Sequence, residues 1–401
     1  MLMKLNHMKN IKYTLAADSW DELEKKAIYE VIESNKYTMG EKVKKFEHEF
    51  AEYFNSPYSV MVNSGSSANL LILSCLKYSK EFELKEGDEF IVPAVSWGTT
   101  YFPVTQLGFK LVFVDIDNET LNLNENKLVE AITENTKGIF AVNLLGNPCN
   151  FEKLNNICDA YNLLLIEDNC ESLGAKFNNQ FTGTFGISGS FSFFFSHHMQ
   201  TMEGGMILLK DKHLYELSLS MRSHGWTRDL PKNNTISNKS GKFIEDSFNF
   251  VMPGYNIRPL EMSGAIGSVQ LKKVASFIKN RKKNAELFKS LFSDNENIAL
   301  QKEIGESSWF GFSIVFKNKL EGHRDKFTNK LMNNNIECRP IVAGDFTKNP
   351  VIKLLNHRIS GNLDNAKNID KNGFFVSNDF RDLKNEITFL REILEEYESN
   401  L

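Results

Sequence analysis

The amino-acid sequence predicts an α/β protein in which a large, mainly parallel sheet is flanked by helices and precedes a smaller C-terminal α/β domain. Its 401 residues are more than one hydrophobic core usually holds, which predicts two domains. Between residues 89 and 210, short apolar segments alternate with polar or helical ones, the pattern of strand–helix–strand units. The apolar segments are hydrophobic on both faces, as the strands of a buried parallel sheet are.

The predicted strands of the large sheet are short and rich in β-branched and aromatic residues. They are Glu89–Val95, Lys110–Asp117, Gly138–Leu145, Leu163–Asp168, Ser190–Ser196 and Gly205–Leu209. Helical patterns lie between several of them, at Glu125–Ile132 and Phe151–Tyr161. This alternation favours parallel pairing, because parallel strands need a long crossover connection, which is usually a helix.

The second half of the chain predicts a long loop and a smaller lobe. Residues 229–246 are rich in Asn, Lys, Ser and Gly, which indicates a loop, and long loops in compact domains are often functional. A helical pattern then covers Pro259–Phe292, and the smaller lobe is predicted from Trp309–Phe316, Ile336–Ile341 and the terminal helix Lys384–Tyr397. We expect a large domain of residues 1–262 and a smaller one of residues 263–401.

Charge and hydropathy argue against two classes of partner. The chain has 47 basic and 51 acidic residues and a net charge of −4, so it offers no basic face to nucleic acid. No apolar run approaches the roughly 20 residues that a membrane helix needs. The segment Met1–Leu15 lacks the apolar core of a secretory signal. We therefore expect a cytoplasmic protein with no nucleic-acid or membrane partner.

The five cysteines are an odd set without a CxxC pair, which favours free thiols in a reducing compartment. They are Cys75, Cys149, Cys158, Cys170 and Cys338. The adjacent His197 and His198 point to opposite faces if the chain is extended there, so they do not chelate one metal ion. No metal site is predicted.

Small residues before a helical pattern indicate an anion site. The segment Asn63–Ala68 reads NSGSSA and leads into a helix over Ala68–Leu76, so Gly65 and Ser66 stand near the helix N-terminus. Backbone N–H groups and the helix dipole favour a negative charge there, and phosphate is the natural occupant. A serine cap explains the same residues equally well.

Two further residues follow predicted strands. Asp168 ends an apolar strand, where ligands of open α/β sheets gather, and its carboxylate suits a protonated pyridine nitrogen. An ordinary helix cap is the alternative. Trp97 follows another strand and is placed to stack on a flat ring, although core packing is the commoner role of tryptophan.

The segment Ser192–Gly205, SFFFSHHMQTMEGG, is the most informative stretch. Together with the Gly-Ser-Ser turn and the strand-end aspartate, it resembles the fold-type I pyridoxal phosphate enzymes. More narrowly, the chain is similar to the sugar aminotransferase family that acts on nucleotide-linked keto-sugars. The resemblance covers nearly the whole chain and includes the motifs YTMG at Tyr37–Gly40, RSHGW at Arg222–Trp226 and GYNIRP at Gly254–Pro259.

At one position this sequence departs from that family. The family carries its cofactor-binding lysine six residues before the Glu of Glu-Gly-Gly, and here that residue is His197. No lysine occurs between Lys176 and Lys210, so a small shift of the alignment does not restore one. Imidazole has no primary amine, so the cofactor must be held non-covalently. Histidine is still a good general base near neutral pH.

The resemblance implies a role for each matching residue. His197 is the expected catalytic acid and base. The expected contacts to pyridoxal or pyridoxamine 5′-phosphate come from Gly65, Ser66, Trp97, Asp168, Glu171 and Ser192. The family is dimeric with active sites at the subunit interface, so Phe248 is expected to enter the partner's site. His224 and Arg258 either bind the carboxylates of the co-substrate L-glutamate or pair structurally.

The resemblance also implies the reaction. It is greatest to a branch of the family that removes the 3-hydroxyl group of a GDP-linked 4-keto-6-deoxy sugar, on the route to colitose in lipopolysaccharide O-antigens. The expected products are the 3-deoxy keto-sugar, ammonia and 2-oxoglutarate. The absent lysine argues against a plain aminotransferase. Two alternatives stay open: a dehydratase of another nucleotide sugar, such as the CDP-sugar enzymes that use an iron–sulfur cluster, and a non-catalytic cofactor-binding protein. The scattered cysteines weigh against a cluster, and the other site residues that remain in register weigh against a decayed site.

Overall fold

An eight-stranded sheet forms the centre of the protein in a computed structural model that describes residues 12–401. Residues 1–11 lie outside the described residues. They include most of the segment Met1–Leu15 and the start of the expected large domain. The strands are β1 (Tyr58–Val62), β2 (Glu89–Pro93), β3 (Lys110–Val114), β4 (Thr136–Val142), β5 (Leu164–Asp168), β6 (Lys176–Phe177), β7 (Gln180–Phe181), β8 (Ser188–Ser192), β9 (Gly205–Leu209), β10 (Ile298–Leu300), β11 (Gly311–Phe316), β12 (His357–Ile359) and β13 (Gly373–Ser377).

The large sheet has the strand order β1-β9-β8-β5-β4-β2-β3-β12. Only β9 runs against its neighbours, since it pairs antiparallel with both β1 and β8, while the remaining pairs are parallel. The mainly parallel α/β sheet predicted from the sequence is therefore confirmed. Its seven co-directional strands all deliver their carboxyl ends to one edge, where ligands of such sheets bind.

Helices cover both faces of this sheet. They are α1 (Glu22–Ser34), α2 (Glu41–Tyr53), α3 (Gly65–Tyr78), α4 (Gly98–Gln106), α5 (Leu128–Ala131), α6 (Phe151–Tyr161), α7 (Lys212–Met221), α8 (Phe243–Ser247), α9 (Glu261–Phe292), α10 (Arg324–Asn333), α11 (Asp364–Asn372) and α12 (Lys384–Ser399). On one face α3, α4 and α7 pack on the sheet through apolar side chains, and on the other α6 packs through Phe151 and Leu154.

A second core surrounds the antiparallel sheet β10-β11-β13 and contains residues of α9, α10 and α12. Tyr13, close to the start of the described chain, is fully buried in this core and pairs with Ile336. Conversely, β12 leaves the C-terminal part to join the edge of the large sheet beside β3. The division of the chain at residue 262 stays a prediction, and helix α9 runs across it.

Three segments differ from the sequence expectations. The strand expected over Ser190–Ser196 is β8, which ends at Ser192, so the two histidines lie in a loop and not on a strand. Ile336–Ile341 forms only isolated bridges, because Pro340 has no N–H for a ladder. Glu125–Ile132 is a 3₁₀ turn followed by the single-turn helix α5.

Strand β1 was not predicted from the sequence, although it forms the end of the large sheet. The expected loop over residues 229–246 is largely irregular and ends in α8. Across residues 12–401, none of the helices combines the length and the apolar character that crossing a lipid bilayer requires.

Candidate active site

A cavity of about 360 Å³ opens at the carboxyl ends of the parallel strands. That volume lies within the range typical of small-ligand sites. The loops after β1, β2, β4, β5 and β8 supply most of its walls, and Arg339 and Val342 of the C-terminal part close it. Seven residues singled out from the sequence line it together: Gly65, Ser66, Trp97, Asp168, Glu171, Ser192 and His197.

The first turn of α3 forms one end of the cavity. Ser64 caps this helix, because its Oγ accepts from the N–H of Ser67 at 3.1 Å. The serine-cap interpretation is therefore correct, but it leaves the first-turn N–H groups of Gly65 and Ser66 facing the cavity edge. A Cβ added at Gly65 would lie 2.6 Å from Cβ of Ser192 and 2.9 Å from Sγ of Cys170. A larger residue would therefore collide with these two side chains, and glycine lets the start of α3 approach them closely.

Asp168 is fixed at the end of β5 with one carboxylate oxygen saturated. Its Oδ2 accepts from Nδ2 of Asn69 at 2.9 Å and from Oγ1 of Thr100 at 2.7 Å. Within residues 12–401 its Oδ1 accepts only the N–H of Cys170, at 3.2 Å. No helix follows β5 directly, so Asp168 is not a helix cap. Oδ1 therefore keeps lone-pair capacity for a cation in the cavity.

Trp97 and Ser192 occupy two other walls. Trp97 directly follows the loop after β2 and is 57% exposed, so it does not serve the core. Ser192, the last residue of β8, is buried with its Oγ beside the position that a Cβ of Gly65 would take. The exposed indole face can stack on a planar ligand, while the hydroxyl lies beside the anion end.

Glu171 and Arg339 form a charged wall. Oε2 of Glu171 accepts the N–H of Leu145 at 3.1 Å. Burial raises the pKa of Glu171, and the positive charge of Arg339 acts against that rise. Arg339 has no carboxylate within ion-pair distance among residues 12–401, and its Nε has no hydrogen-bond partner there. A guanidinium in this state is ready to bind an anionic ligand.

The imidazole of His197 faces the cavity from the loop after β8. Its ring lies 6.1 Å from the ring of Phe194 and 5.2 Å from that of Phe310. Its Nδ1 is buried and has no hydrogen-bond partner in the described structure. Burial, followed by the positive charges of Arg339 and Arg281, lowers the pKa of His197 to about 3. The ring is thus a neutral base with an unused nitrogen.

Three residues proposed from the sequence do not reach this cavity within one chain. Phe248 is 58% exposed in the segment after α8. His224 packs edge-on against Trp226, with ring centroids 5.1 Å apart, and Arg258 donates through Nε to Asn256 at 3.1 Å. His224 and Arg258 lie beside Trp226, and Phe248 contacts Arg228, whose guanidinium lies 3.9 Å from the Trp226 ring centre.

Sequence reasoning missed Arg339, Asn69 and Thr100. Thr100 follows Trp97 by three residues on α4, and Asn69 lies on the helix that begins at Gly65. A polar side chain one turn into each helix was an available signal for these two. Arg339 reaches the cavity from the C-terminal part, and no local pattern marks it.

The arrangement fits a pyridoxal-type cofactor. A phosphate fits the glycine-lined end at α3, a ring nitrogen fits Oδ1 of Asp168, and Trp97 offers a face to the ring. No lysine lines the cavity among the described residues, so the cofactor must be held by non-covalent contacts. Nor do three or more His, Cys, Asp or Glu side chains of residues 12–401 converge in a way that could hold a metal ion.

Comparison with known proteins agrees with this geometry. The profile of the DegT/DnrJ/EryC1/StrS aminotransferase family matches residues 18–377. GDP-4-keto-6-deoxy-D-mannose 3-dehydratase of Escherichia coli O55:H7 is 53% identical over 386 residues, which are 96% of this chain and 100% of that protein. The chain therefore belongs to the DegT/DnrJ/EryC1/StrS aminotransferase family.

Two solved structures share the fold closely. The E. coli GDP-4-keto-6-deoxy-D-mannose 3-dehydratase with bound hydrated pyridoxal phosphate has a TM-score of 0.94 and 52% identity, with 96% of this chain and 99% of that chain covered. The same enzyme with a trapped adduct of pyridoxal phosphate and glutamate, a geminal diamine, also has a TM-score of 0.94 and 52% identity, with 95% and 100% covered. The fold-type I assignment is confirmed by these neighbours.

Proposed function

We propose that this member of the sugar aminotransferase family removes the C3 hydroxyl group of GDP-4-keto-6-deoxy-D-mannose, using pyridoxamine 5′-phosphate and L-glutamate. The observation that carries the proposal is the imidazole of His197 in a cavity that no lysine lines. The 53% identity to a dehydratase of that name over nearly the whole chain supports the substrate. The chain is accordingly a lyase that acts on a nucleotide sugar.

The net reaction balances without an external reductant. L-glutamate is oxidised to 2-oxoglutarate and ammonia with consumption of one water, and its two electrons reduce C3 of the sugar. The hydroxide that leaves C3 is protonated to water. When bound, the cofactor supplies an amine that condenses with a ketone and a ring that accepts the electrons of a broken C–H bond.

The large domain, proposed as residues 1–262, supplies the contacts that hold the cofactor. The N–H groups of Gly65 and Ser66 and the hydroxyl of Ser192 bind its phosphate at the positive end of α3. Asp168, held by Asn69 and Thr100, pairs with the ring nitrogen and keeps it protonated. Trp97 stacks on the ring, and Glu171 lies at the hydroxyl edge. Together these contacts replace the covalent link that a lysine would provide.

His197 serves as both acid and base. As the neutral base at the cavity wall, it takes a proton from the methylene carbon that carries the cofactor's amine. It then gives a proton to the hydroxide that leaves C3 of the sugar. Anionic ligands raise its pKa toward neutrality when they bind, because they offset the charges of Arg339 and Arg281. Once the C3 hydroxide has left and the bond between cofactor and nitrogen is broken, the released sugar enamine is hydrolysed by water to the ketone, so nitrogen leaves as ammonia and is not retained on the sugar.

Arg339 provides the carboxylate contact for L-glutamate within one chain. It is the guanidinium of the cavity wall, it lacks an acidic partner among the described residues, and its Cζ lies 4.8 Å from the ring centre of Phe375. A planar guanidinium binds a carboxylate through two parallel hydrogen bonds. The glutamate adduct in the 52% identical enzyme supports this amino donor.

The active unit is proposed to be a homodimer with each site at the subunit interface. Phe248 and Phe250 are more than half exposed, as are Phe243 and Ile244 of α8. Large apolar side chains exposed this close together in the sequence suit a surface that a second subunit covers. In that arrangement Phe248 enters the partner's site, and His224 and Arg258 contribute there to glutamate binding.

The test offers the protein three substrates in parallel, the GDP-, CDP- and dTDP-linked 4-keto-6-deoxy sugars, each with pyridoxal phosphate and L-glutamate. The expected result is a GDP-sugar product lighter by one oxygen, with little turnover of the other two. Turnover of only the CDP- or dTDP-sugar would overturn the GDP assignment. Absence of any turnover, together with failure of glutamate to bleach the aldehyde absorbance, would indicate a non-catalytic protein.

A further inference from the structure

The second histidine of the His197-His198 pair has a separate structural environment. His198 is 2% exposed, and its Nε2 lies 3.1 Å from the carbonyl oxygen of Ser308. A carbonyl only accepts, so Nε2 carries the hydrogen. Burial, followed by the charge of Arg281, lowers the pKa of His198 well below its ordinary value, which keeps the ring neutral. Nδ1 is then the nitrogen without a hydrogen, and no residue from 12 to 401 donates to it.

The carbonyl that His198 contacts belongs to a rigid segment. The N–H of Ser308 donates to the carbonyl of Gly146 at 2.9 Å, and the carbonyl of Trp309 accepts from Nδ2 of Asn378 at 2.9 Å. Buried Arg281 donates to the carbonyl of Phe310 at 3.1 Å. The segment 308–310 is thus tied to the turn after β4 on one side and, on the other, to α9 and the residue that follows β13.

The catalytic ring itself has few restraints of its own. Nδ1 of His197 has no partner in the described part of the chain, and the backbone N–H of His197 donates within the loop, to the carbonyl of Phe194 at 2.9 Å. Phe310 packs against both imidazoles, with ring centroids 5.2 Å from His197 and 5.6 Å from His198. The side chain of His198 is therefore the direct polar link between this loop and the segment that supports the catalytic ring.

We propose that His198 is a positioning residue, which holds the His197 imidazole against the cavity by anchoring its loop to the Ser308 carbonyl. The inference rests on the proposed role of His197 as the base. Without the anchor the loop still folds over Phe310, but the imidazole samples orientations in which its nitrogen is displaced from the proton it must take. Displacements of about 1 Å lower rates by roughly 100-fold.

The test compares two variants of similar shape, H198Q and H198M. The Gln amide nitrogen stands where Nε2 stood and can donate to Ser308, whereas Met fills the space without a donor. The readout is the half-reaction of the pyridoxal phosphate-loaded protein with L-glutamate, followed by absorbance. This step needs no sugar, so a wrong nucleotide-sugar assignment leaves the test intact.

The expected result is a fall of about 10–100-fold in the half-reaction rate for H198M, with recovery to within about 5-fold of the wild type in H198Q. The KM for glutamate should change little, and the rate difference between ordinary and 2-deuterated glutamate should grow in H198M, because proton removal becomes the slow step. A structural role alone would not raise this isotope effect. The surface variant H48M, at a side chain 75% exposed, is the control and should match the wild type.

Wild-type rates in a folded H198M, or equal losses in H198Q and H198M, would overturn the proposal. If H198M does not fold, H198F replaces it, since an aromatic ring of similar size keeps the packing on Phe310 but cannot donate. An isotope effect in H198F equal to that of the wild type would also overturn the proposal.

Discussion

The two ends of the large sheet differ in whether particular buried polar side chains are paired. At the amino end, Glu89 at the start of β2 is fully partnered: it accepts from Nε and Nη2 of Arg358 at 2.7 and 2.6 Å and from Oγ1 of Thr133 at 2.8 Å. At the carboxyl end, Nδ1 of His197 and Nε of Arg339 have no partner among the described residues. Buried polar groups are normally paired, and both of these atoms belong to residues that line the cavity, where a ligand can supply the missing partner.

This difference separates stability from function along one set of strands. The Glu89–Arg358 pair joins β2 to β12, the strand that the C-terminal part contributes, so it fastens the two parts of the chain together. The cavity groups contribute little to folding, and substitutions there should be tolerated by the fold. Each of the following predictions tests one side of the comparison.

The largest effect is expected from His197→Asn. Removing a general acid–base group lowers turnover by about 10²–10⁴-fold. Asn retains a polar group of smaller size at an unpartnered position, so the thermal unfolding midpoint should stay close to that of the wild type. Parallel activity and thermal-melt measurements check both halves. A loss of stability as large as that of a core substitution would show that this end of the sheet also serves folding.

Glu89→Gln should show the reverse pattern. Breaking a buried ion pair leaves Arg358 uncompensated and is expected to destabilise the protein by about 3 kcal/mol, with the half-reaction rate of the remaining folded protein unchanged. Urea unfolding at neutral pH measures the difference. Normal stability with impaired turnover would contradict the assignment of this end to folding.

The same pair sets a pH dependence of stability. Hydrogen bonding to Arg358 lowers the pKa of Glu89 from 4.5 to about 2. Because the folded pKa is depressed, the stabilisation is present above pH 4.5 and is lost as the pH falls from 4.5 through 2. The gap in unfolding free energy between wild type and Glu89→Gln should therefore narrow at pH 3. A gap that is constant with pH would show that the carboxylate charge is not the cause.

Arg339→Met should mainly weaken glutamate binding. Losing a charged hydrogen bond of about 1.5–3 kcal/mol raises the KM for glutamate by roughly 10–100-fold. Arg324→Met, at a distant guanidinium paired with Asp325, is a matched control that should leave that KM unchanged. An unchanged KM in Arg339→Met would mean that this guanidinium does not bind the donor.

The smallest effect is a shift in the pH profile. The pKa of His197 is lowered to about 3 by burial, then by Arg339 and Arg281. The base form of the ligand-free protein therefore persists as the pH falls below 6.5. The bound cofactor raises this pKa part of the way toward neutrality, so the acid limb of kcat/KM for the half-reaction should lie below pH 6.5. In Arg339→Met a positive charge is lost, the pKa of His197 rises, and the limb should move to higher pH. A limb that moves to lower pH would contradict this electrostatic account.

The sequence could predict the parts of the site that lie at strand ends. Asp168 and Trp97 follow buried strands, and Gly65 precedes a helix, so local patterns placed them near one edge of the sheet. The role of the Ser190–Ser196 segment was less accessible, because three consecutive phenylalanines look like a strand while the chain leaves the sheet at Ser192. The histidines therefore lie in a loop, not on a strand with alternating faces.

Other features depend on contacts far apart in the chain. Arg339 reaches the cavity from a segment that is joined to the small sheet by a single bridge to Phe375, and β12 joins β3 across more than 240 residues of sequence. Nothing local encodes either contact. His198 and Ser308, which share a hydrogen bond, are likewise 110 residues apart in the sequence. Pairings at this range are set by the packing of the two parts, not by residue pattern.

The fate of nitrogen is the most direct test of the account, because it depends on the replacement of lysine by His197. The protein is incubated with pyridoxal phosphate, ¹⁵N-labelled L-glutamate and GDP-4-keto-6-deoxy-D-mannose, and the sugar and ammonia are analysed by mass spectrometry. The account predicts ¹⁵N-ammonia formed in equal amount with an unlabelled keto-sugar lighter by one oxygen, and loss of both in His197→Asn. A sugar that carries ¹⁵N, without release of ammonia, would show an aminotransferase and contradict the account.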